Sequence, residues 1–189
     1  MKKQGFTLIE LLAVIVIMGI LMFAAIPAIN RTIENARKDQ FINLAQNYAR
    51  AVETLWQTDG LECKSGAGTS YQVASALPKN LDDNYYVLIN TSSSDTTVYP
   101  KLLQQGGKSP WGNSDIVGFI QIWIGLNDNV EFYPVLKAKS YVLNPTADDS
   151  YEYLGRRNVF NFGEDWDLYD EDDGGWDFSS MNNYKCIAN

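Results

Sequence analysis

The first pattern along the chain is a long apolar run near the amino terminus. Residues 8–29 are almost entirely hydrophobic, with Gly19 and Pro27 as weak points for a helix and Glu10 as their one charge. About 20 apolar residues let a helix cross a ~30 Å hydrocarbon core, whereas a secretory signal has an apolar region of about 7–15. The run therefore predicts a membrane-spanning helix. A carboxylate inside it is costly, so Glu10 is a functional-site candidate.

The helical pattern continues beyond the apolar run. After Pro27, apolar residues recur at steps of three and four on one face, and polar residues fall mostly on the other. Asp59 and Gly60 form a stop signal, with glycine past the helix end. The pattern predicts one helix over residues 6–58, of which residues 6–29 are apolar all round. Pro27 removes a backbone hydrogen bond and should kink or loosen the helix nearby.

Residues 59–189 contain short runs of β-forming residues that predict a sheet. The runs are residues 85–89, 116–124, 130–136, 140–143 and 159–162. The second and third flank a polar turn and predict a hairpin, in which Pro134 favours an edge or a bulge. We therefore expect an α+β protein, with one long helix packed on an antiparallel sheet in a β-rich head.

The composition excludes several kinds of site. The chain has no histidine, which removes the commonest general base, and its two cysteines alone make no zinc site. It has no glycine-rich phosphate loop and no basic stripe for nucleic acid. We therefore expect a protein that is not an enzyme and does not bind nucleic acid. The paired carboxylates within residues 165–173 leave a glycosidase-like site open as an alternative.

The last third of the chain is strongly acidic. Residues 148–177 hold eleven Asp or Glu and two Arg, a local charge of −9 in a chain of net charge −8. One interpretation is a solvated, aromatic-rich loop. The other is a calcium site, because calcium prefers hard oxygen ligands, although the spacing does not match an EF-hand. The candidate ligands are Asp165, Asp167, Asp170, Asp172 and Asp173. No other cofactor is indicated.

The amino terminus resembles a known family. Two lysines and a glutamine precede Gly5, and residues 6–10 read Phe-Thr-Leu-Ile-Glu. Residues 1–55 resemble the type IV pilin precursors. The resemblance implies that a prepilin peptidase cuts between Gly5 and Phe6, that residues 1–5 are a leader, and that the new amine of Phe6 is N-methylated. It also implies that Glu10 pairs with the Phe6 amine of a neighbouring subunit.

The resemblance also implies a function and a location. The precursor would cross the cytoplasmic membrane once, meet the peptidase and the pilus assembly machinery, and polymerise with other pilin subunits. The extracellular pilus would serve adhesion, motility or surface interaction. In the family, a stretch before the proline that corresponds to Pro27 can lose helical structure in the filament. A minor pilin or a type II secretion pseudopilin remains open, as does an anchored extracellular binding domain that never polymerises. Glu10 argues against that last alternative.

The two cysteines, Cys63 and Cys186, lie just past the predicted helix and near the carboxyl terminus. In an oxidising exterior they predict a disulfide, with two free buried thiols as the alternative. Many pilins hold the carboxyl-terminal segment with a cysteine pair, so the resemblance also favours the bond. Cys63 comes earlier than the first cysteine of those pairs usually does.

The acidic segment generates a test for calcium. Some relatives of the family, the major pseudopilins, carry calcium in a carboxyl-terminal loop. A cation that binds only the folded chain would relieve repulsion among the carboxylates and raise stability by mass action. We expect a higher melting temperature in millimolar calcium than in chelator, with magnesium as the control because it keeps its water more tightly. An unchanged melting temperature would favour the solvated loop.

Overall fold

The computed structural model describes residues 7–64, 70–77, 84–96, 98–103, 109–112, 115–125, 129–144, 151, 154–161, 181 and 184–188. The described residues form one long α-helix and one eight-stranded sheet, which confirms the α+β expectation. The chain divides into two compact units, Met1–Arg37 and Lys38–Asn189.

Helix α1 spans Leu8–Gln57 and contains Pro27. The predicted helix began at Phe6, which lies outside the described residues, and ended within one residue of the observed end. The agreement follows from the strength of the signal, because periodic apolar positions over so many turns leave little choice of secondary structure.

The end of α1 is a Schellman motif. The N–H of Gly60 donates to the Leu55 carbonyl at 2.8 Å, and the N–H of Asp59 donates to the Trp56 carbonyl at 3.4 Å. Asp59, rather than the glycine, takes the left-handed conformation, with φ of 54°. Ser75 holds it there, because its N–H and its hydroxyl donate to the Asp59 carboxylate at 2.9 and 2.8 Å.

The sheet contains the five predicted strands and three more. The strands are β1 Leu61–Cys63, β2 Gln72–Val73, β3 Asn84–Asn90, β4 Ile116–Ile124, β5 Val130–Ala138, β6 Tyr141–Leu143, β7 Val159–Asn161 and β8 Lys185–Ala188. Their order in the sheet is β2-β1-β8-β3-β4-β5-β6-β7. The predicted runs correspond to β3 through β7, while β1, β2 and β8 were missed. Phe162, which ended the last predicted run, lies outside the described residues.

The predicted hairpin is formed by β4 and β5. Its register is continuous, from Val130 opposite Ile124 to Ala138 opposite Ile116, so Pro134 causes no bulge. Strand β6 pairs with β5 only from Leu136 onward. At Pro134, the side of β5 that faces away from β4 is not paired with β6 and forms a sheet edge among the described residues. A residue without an N–H is tolerated at such an edge.

The sheet has an apolar cluster on each face. Residues of α1 pack on one face, around a core that includes Phe41, Ala45, Val52, Ile116, Ile120 and Ile122. The second cluster consists of Leu88, Phe119, Val135, Val142 and Met181. Cross-strand neighbours such as Leu88 and Phe119 belong to the same face, so the second cluster lies on the side of the sheet away from α1.

Strand β8 joins the two parts of the sheet. It pairs antiparallel with β1 and parallel with β3. Cys63 and Cys186 stand opposite each other in β1 and β8 and form the predicted disulfide. The N–H of Lys64 donates to the carbonyl of Lys185 at 3.1 Å, so the adjacent cysteine pair is a non-hydrogen-bonded one. Side chains approach most closely at such pairs, which suits a disulfide.

The disulfide generates a stability prediction. It links positions 123 residues apart, and loss of such a bond usually costs about 2–5 kcal/mol. We expect the Cys63→Ser/Cys186→Ser variant to unfold at lower urea than the native chain, measured on the full chain in detergent. A reducing agent should lower the native transition and leave that of the variant unchanged. Labelling of both cysteines in unfolded, non-reduced native protein would contradict the bond.

Candidate assembly interface

The first compact unit presents an apolar helix surface. Between Leu8 and Ile33, the large apolar side chains that are exposed show 45% to 85% of their surface. By length and composition, α1 can cross a membrane. A folded protein rarely leaves so large an apolar surface in water. The surface therefore calls for lipid or for other protein chains around it.

Glu10 caps the amino terminus of α1. Thr7 is the residue immediately before the helix, and Glu10 is the third residue within it. The carboxylate oxygen Oε2 of Glu10 accepts the Thr7 N–H at 2.8 Å and the Thr7 hydroxyl at 2.7 Å. The bond from the Thr7 N–H to the side chain of the third helical residue is one half of a capping box. This bond satisfies a backbone donor that has no partner within the helix.

The cap explains how a carboxylate is accommodated in this segment. Its charge lies at the positive end of the helix dipole and receives two hydrogen bonds from its own chain. Both bonds go to Oε2, and Oε1 has no partner among the described residues. From the sequence, Glu10 was predicted to pair only with a neighbouring subunit, and its bonds to Thr7 were not predicted. The Thr-x-x-Glu spacing was the signal that could have revealed them.

The other predicted assembly residues are placed as follows. Pro27 lies within α1, which is continuous through it. Near Pro27, the Thr32 hydroxyl donates to the Ala28 carbonyl at 3.0 Å. Loss of helix before Pro27 concerns the filament and stays a prediction. Gly5 and Phe6, at the predicted processing site, lie outside the described residues.

In the second unit, polar side chains of α1 hold a later segment of the chain. Asp39, Gln46 and Glu53 are spaced by seven residues, which places them on one face of the helix. Gln46 donates to the Tyr151 carbonyl at 3.1 Å, and the Tyr151 hydroxyl donates to Glu53 at 2.7 Å. Arg156 donates through two nitrogens to the two carboxylate oxygens of Asp39. The seven-residue spacing was visible in the sequence, but the partners were not.

The Asp39–Arg156 ion pair is exposed and pH-dependent. Hydrogen bonds from Arg156 lower the pKa of Asp39, and the same bonds raise the pKa of Arg156. Because the folded chain lowers the pKa of Asp39, the ion pair contributes to the free energy of unfolding at any pH above the ordinary titration range of an aspartate. This contribution is lost as the pH falls through the lowered pKa. Solvent and salt screen such a pair, so it positions the segment more than it stabilises the fold.

The predicted calcium ligands Asp165, Asp167, Asp170, Asp172 and Asp173 all lie outside the described residues. In the part of the chain that is described, no group of three or more side chains of His, Cys, Asp or Glu could hold a metal ion. The calcium site therefore stays a prediction from sequence.

Comparisons with known proteins agree with the amino-terminal pattern. The family model of the prokaryotic N-terminal methylation motif matches residues 1–26. A fimbrial protein of Dichelobacter nodosus is 40% identical over 87 residues, which cover 46% of this chain and 51% of the relative. The type IV major fimbrial protein FimA of the same organism matches with the same identity and coverage. The alignment thus spans about half the length of these relatives. No solved structure gives a significant match.

The matched motif includes the predicted processing site and the features that the geometry singles out. Residues 1–26 contain Gly5 and Phe6, which lie outside the described residues, and also the Thr7–Glu10 cap and most of the exposed apolar surface. The relatives are fimbrial proteins, and the fold combines a long amino-terminal helix with a mainly antiparallel sheet. The methylation motif and the fimbrial relatives show that the chain is similar to type IV fimbrial proteins over about half of its length, and its long amino-terminal helix and mainly antiparallel sheet are consistent with that similarity.

Proposed function

We propose that this protein is a structural subunit that polymerises through the first part of α1 into an extracellular filament. The observation that carries the proposal is the exposed apolar surface of α1 with a single carboxylate at its amino-terminal end. A filament core would bury that surface against copies of itself. The similarity to fimbrial proteins supports the same proposal.

In the proposed contact, Glu10 of one subunit pairs with the Phe6 amine of the next. The Thr7 bonds occupy Oε2 and leave Oε1 available to a cation from a second chain. Pairing offsets part of the desolvation cost of both charges, while a missing partner leaves the other charge buried and costly. The contact therefore sets the register of subunits, and Glu10 has no role as a catalytic acid.

Before assembly, the precursor would be a single-pass protein of the cytoplasmic membrane. Lys2 and Lys3 would remain on the cytoplasmic side, where a prepilin peptidase removes residues 1–5. The second unit, from Lys38 onward, would face the exterior, where the Cys63–Cys186 disulfide is stable. The pilus assembly machinery and other subunits are its proposed partners, and adhesion, motility or surface interaction are the proposed roles of the filament.

Two alternatives differ in what α1 contacts. A minor pilin or a secretion pseudopilin would use the same helix in a different filament. A plain anchor would keep the helix in lipid, where Glu10 has a cap but no further use. The charge favours polymerisation, since a glutamine would complete the same cap in an anchor without a charge that is costly in the membrane.

Processing gives the first test of the proposal. We expect protein from its native cells to lack residues 1–5, to begin at Phe6 and to carry one additional methyl group, as measured by mass spectrometry. Gly5→Val should block cleavage, because a branched side chain replaces a hydrogen at the cut. Assembled protein that retains Met1, or normal processing of Gly5→Val, would contradict the site.

Assembly gives the second test, and two variants separate the roles of Glu10. Glu10→Gln keeps an acceptor for Thr7, since glutamine also completes a capping box, but it removes the charge. We expect it to insert normally and to yield almost no filaments, because breaking a buried pair costs about 3–5 kcal/mol. Thr7→Ala keeps the charge and the backbone N–H that donates to Glu10 and removes only the hydroxyl bond, at about 0.5–1.5 kcal/mol, so filaments should persist at slightly reduced stability.

The measurement is the yield of filaments sheared from cells in which the variant is the only copy of the protein. The amount in the membrane fraction is the control, because a protein that fails to insert would also fail to assemble. Native filament yield from Glu10→Gln would mean that the carboxylate serves only as a cap, and the pairing would be refuted.

A further inference from the structure

The face of the sheet away from α1 carries an ordered pattern of side chains at one end. Across β3, β4 and β5, one row of neighbours is Asn84, Trp123 and Glu131, and the next row is Tyr86, Gln121 and Tyr133. All six residues are half-buried. We call this set the checkerboard face, because aromatic and planar polar side chains alternate in both directions.

The polar members of the checkerboard face are held in place by one another. Gln121 Nε2 donates to Asn84 Oδ1 at 2.8 Å. The Tyr133 hydroxyl donates to Glu131, whose other oxygen accepts from Asn129 at 2.9 Å. Such bonds between side chains fix their rotamers before any ligand arrives, which lowers the entropy cost of binding.

The Asn84–Gln121 pair leaves an acceptor on one amide and a donor on the other. Its hydrogen bond uses Gln121 Nε2 and Asn84 Oδ1, so Gln121 Oε1 and Asn84 Nδ2 remain without a partner among the described residues. A sugar hydroxyl can both donate and accept, and two adjacent hydroxyls match an adjacent acceptor and donor.

The aromatic members provide apolar surface beside these polar atoms. Tyr86 is braced edge-to-face against the buried ring of Phe119, with centroids 5.6 Å apart. The indole of Trp123 lies over Gly125, where an added Cβ would come within 2.6 Å of the ring. Glycine at position 125 therefore lets the large ring lie close to the backbone.

The dimensions and charge of the face limit what can bind there. Three strands and two rows measure about 10 Å by 7 Å, from the usual spacings of strands and residues. Its one charged side chain is Glu131, so phosphates and other anions are disfavoured. A lipid surface is disfavoured too, since half of the set is amide or carboxylate.

We propose that the checkerboard face is a binding site for a neutral sugar, at the scale of one or two pyranose rings. A pyranose has C–H bonds on its faces and hydroxyls around its rim, so it needs aromatic surface and planar hydrogen-bonding groups within the same few ångströms. The alternation along and across the strands supplies both. The site does not need a second subunit to be complete, because all six residues belong to one chain.

The competing explanation is that these residues only stabilise the sheet. Cross-strand aromatic and polar pairs each contribute about 0.2–1 kcal/mol in ordinary sheets. That explanation predicts lower stability in variants of the face and no response to sugars. The two explanations therefore differ in a binding measurement, not in a melting temperature.

The experiment titrates the full-length protein with lactose, maltose and chitobiose at millimolar concentrations. The detergent must have no sugar headgroup, since a maltoside would compete for the site. The probe is the indole N–H signal of Trp123 in nitrogen–proton correlation spectra, assigned among the five tryptophans by Trp123→Phe. We expect at least one disaccharide to shift this signal in a saturable way.

A variant of the polar contact and a matched control variant complete the test. Gln121→Leu should weaken binding at least about tenfold, which corresponds to about 1.4 kcal/mol. Val117→Thr, on the same strand and face but outside the set, should bind as the native chain does. The proposal is overturned if no disaccharide shifts the Trp123 signal or if Gln121→Leu binds unchanged. It is also overturned if a proline-rich peptide shifts the Trp123 signal and the sugars do not.

Discussion

The structure depends on one helix that has to satisfy two different environments. From Leu8 to Ile33 its large apolar side chains are exposed, whereas Phe41, Ala45 and Val52 are fully buried within the second unit. The first surface is stable only in lipid or among other helices, and the second already has its partner in the sheet. The sheet therefore fixes the orientation of the last turns of α1, and the first turns remain available for assembly. That apolar surface is not used in folding the head, so it can serve both the membrane insertion and the polymerisation that we propose.

Closure of the sheet is the second constraint, and it is set by residues far apart in sequence. Strand β1 follows α1 directly, yet it reaches β3 through β8, the last strand of the chain. The sheet cannot be completed until the carboxyl-terminal residues are in place. The disulfide makes that closure permanent at the position where β1 and β8 bring their side chains closest. The end of the helix is thereby tied to the middle of the sheet by a covalent bond as well as by hydrogen bonds.

The sequence was sufficient for the elements whose signal is local. Helix α1 and strands β3 through β7 follow from the period of apolar residues and from β-forming runs. Strands β1, β2 and β8 were missed because each is only two to four residues long, and because β1 and β8 pair with each other across a sequence separation of 123 residues. At the amino terminus, Glu10 was singled out because a carboxylate is costly in an apolar segment. Its partner Thr7 was missed, although the Thr-x-x-Glu spacing was visible in the sequence. The partners of Asp39, Gln46 and Glu53 come from residues 151 and 156, about a hundred positions away, and no local pattern points to them.

The checkerboard face shows why register matters more than composition for a site on a sheet. In the sequence, Asn84, Gln121 and Glu131 are ordinary polar positions, and Trp123 or Tyr133 are ordinary strand formers. Only the pairing of β3 with β4 and of β4 with β5 brings them into alternating rows, and a shift of one residue would move every one of them to the other face. The methylation motif lies wholly in residues 1–26, outside the sheet. The outward chemistry of the head is therefore a separate matter from that motif, and it is set by the order and register of the strands.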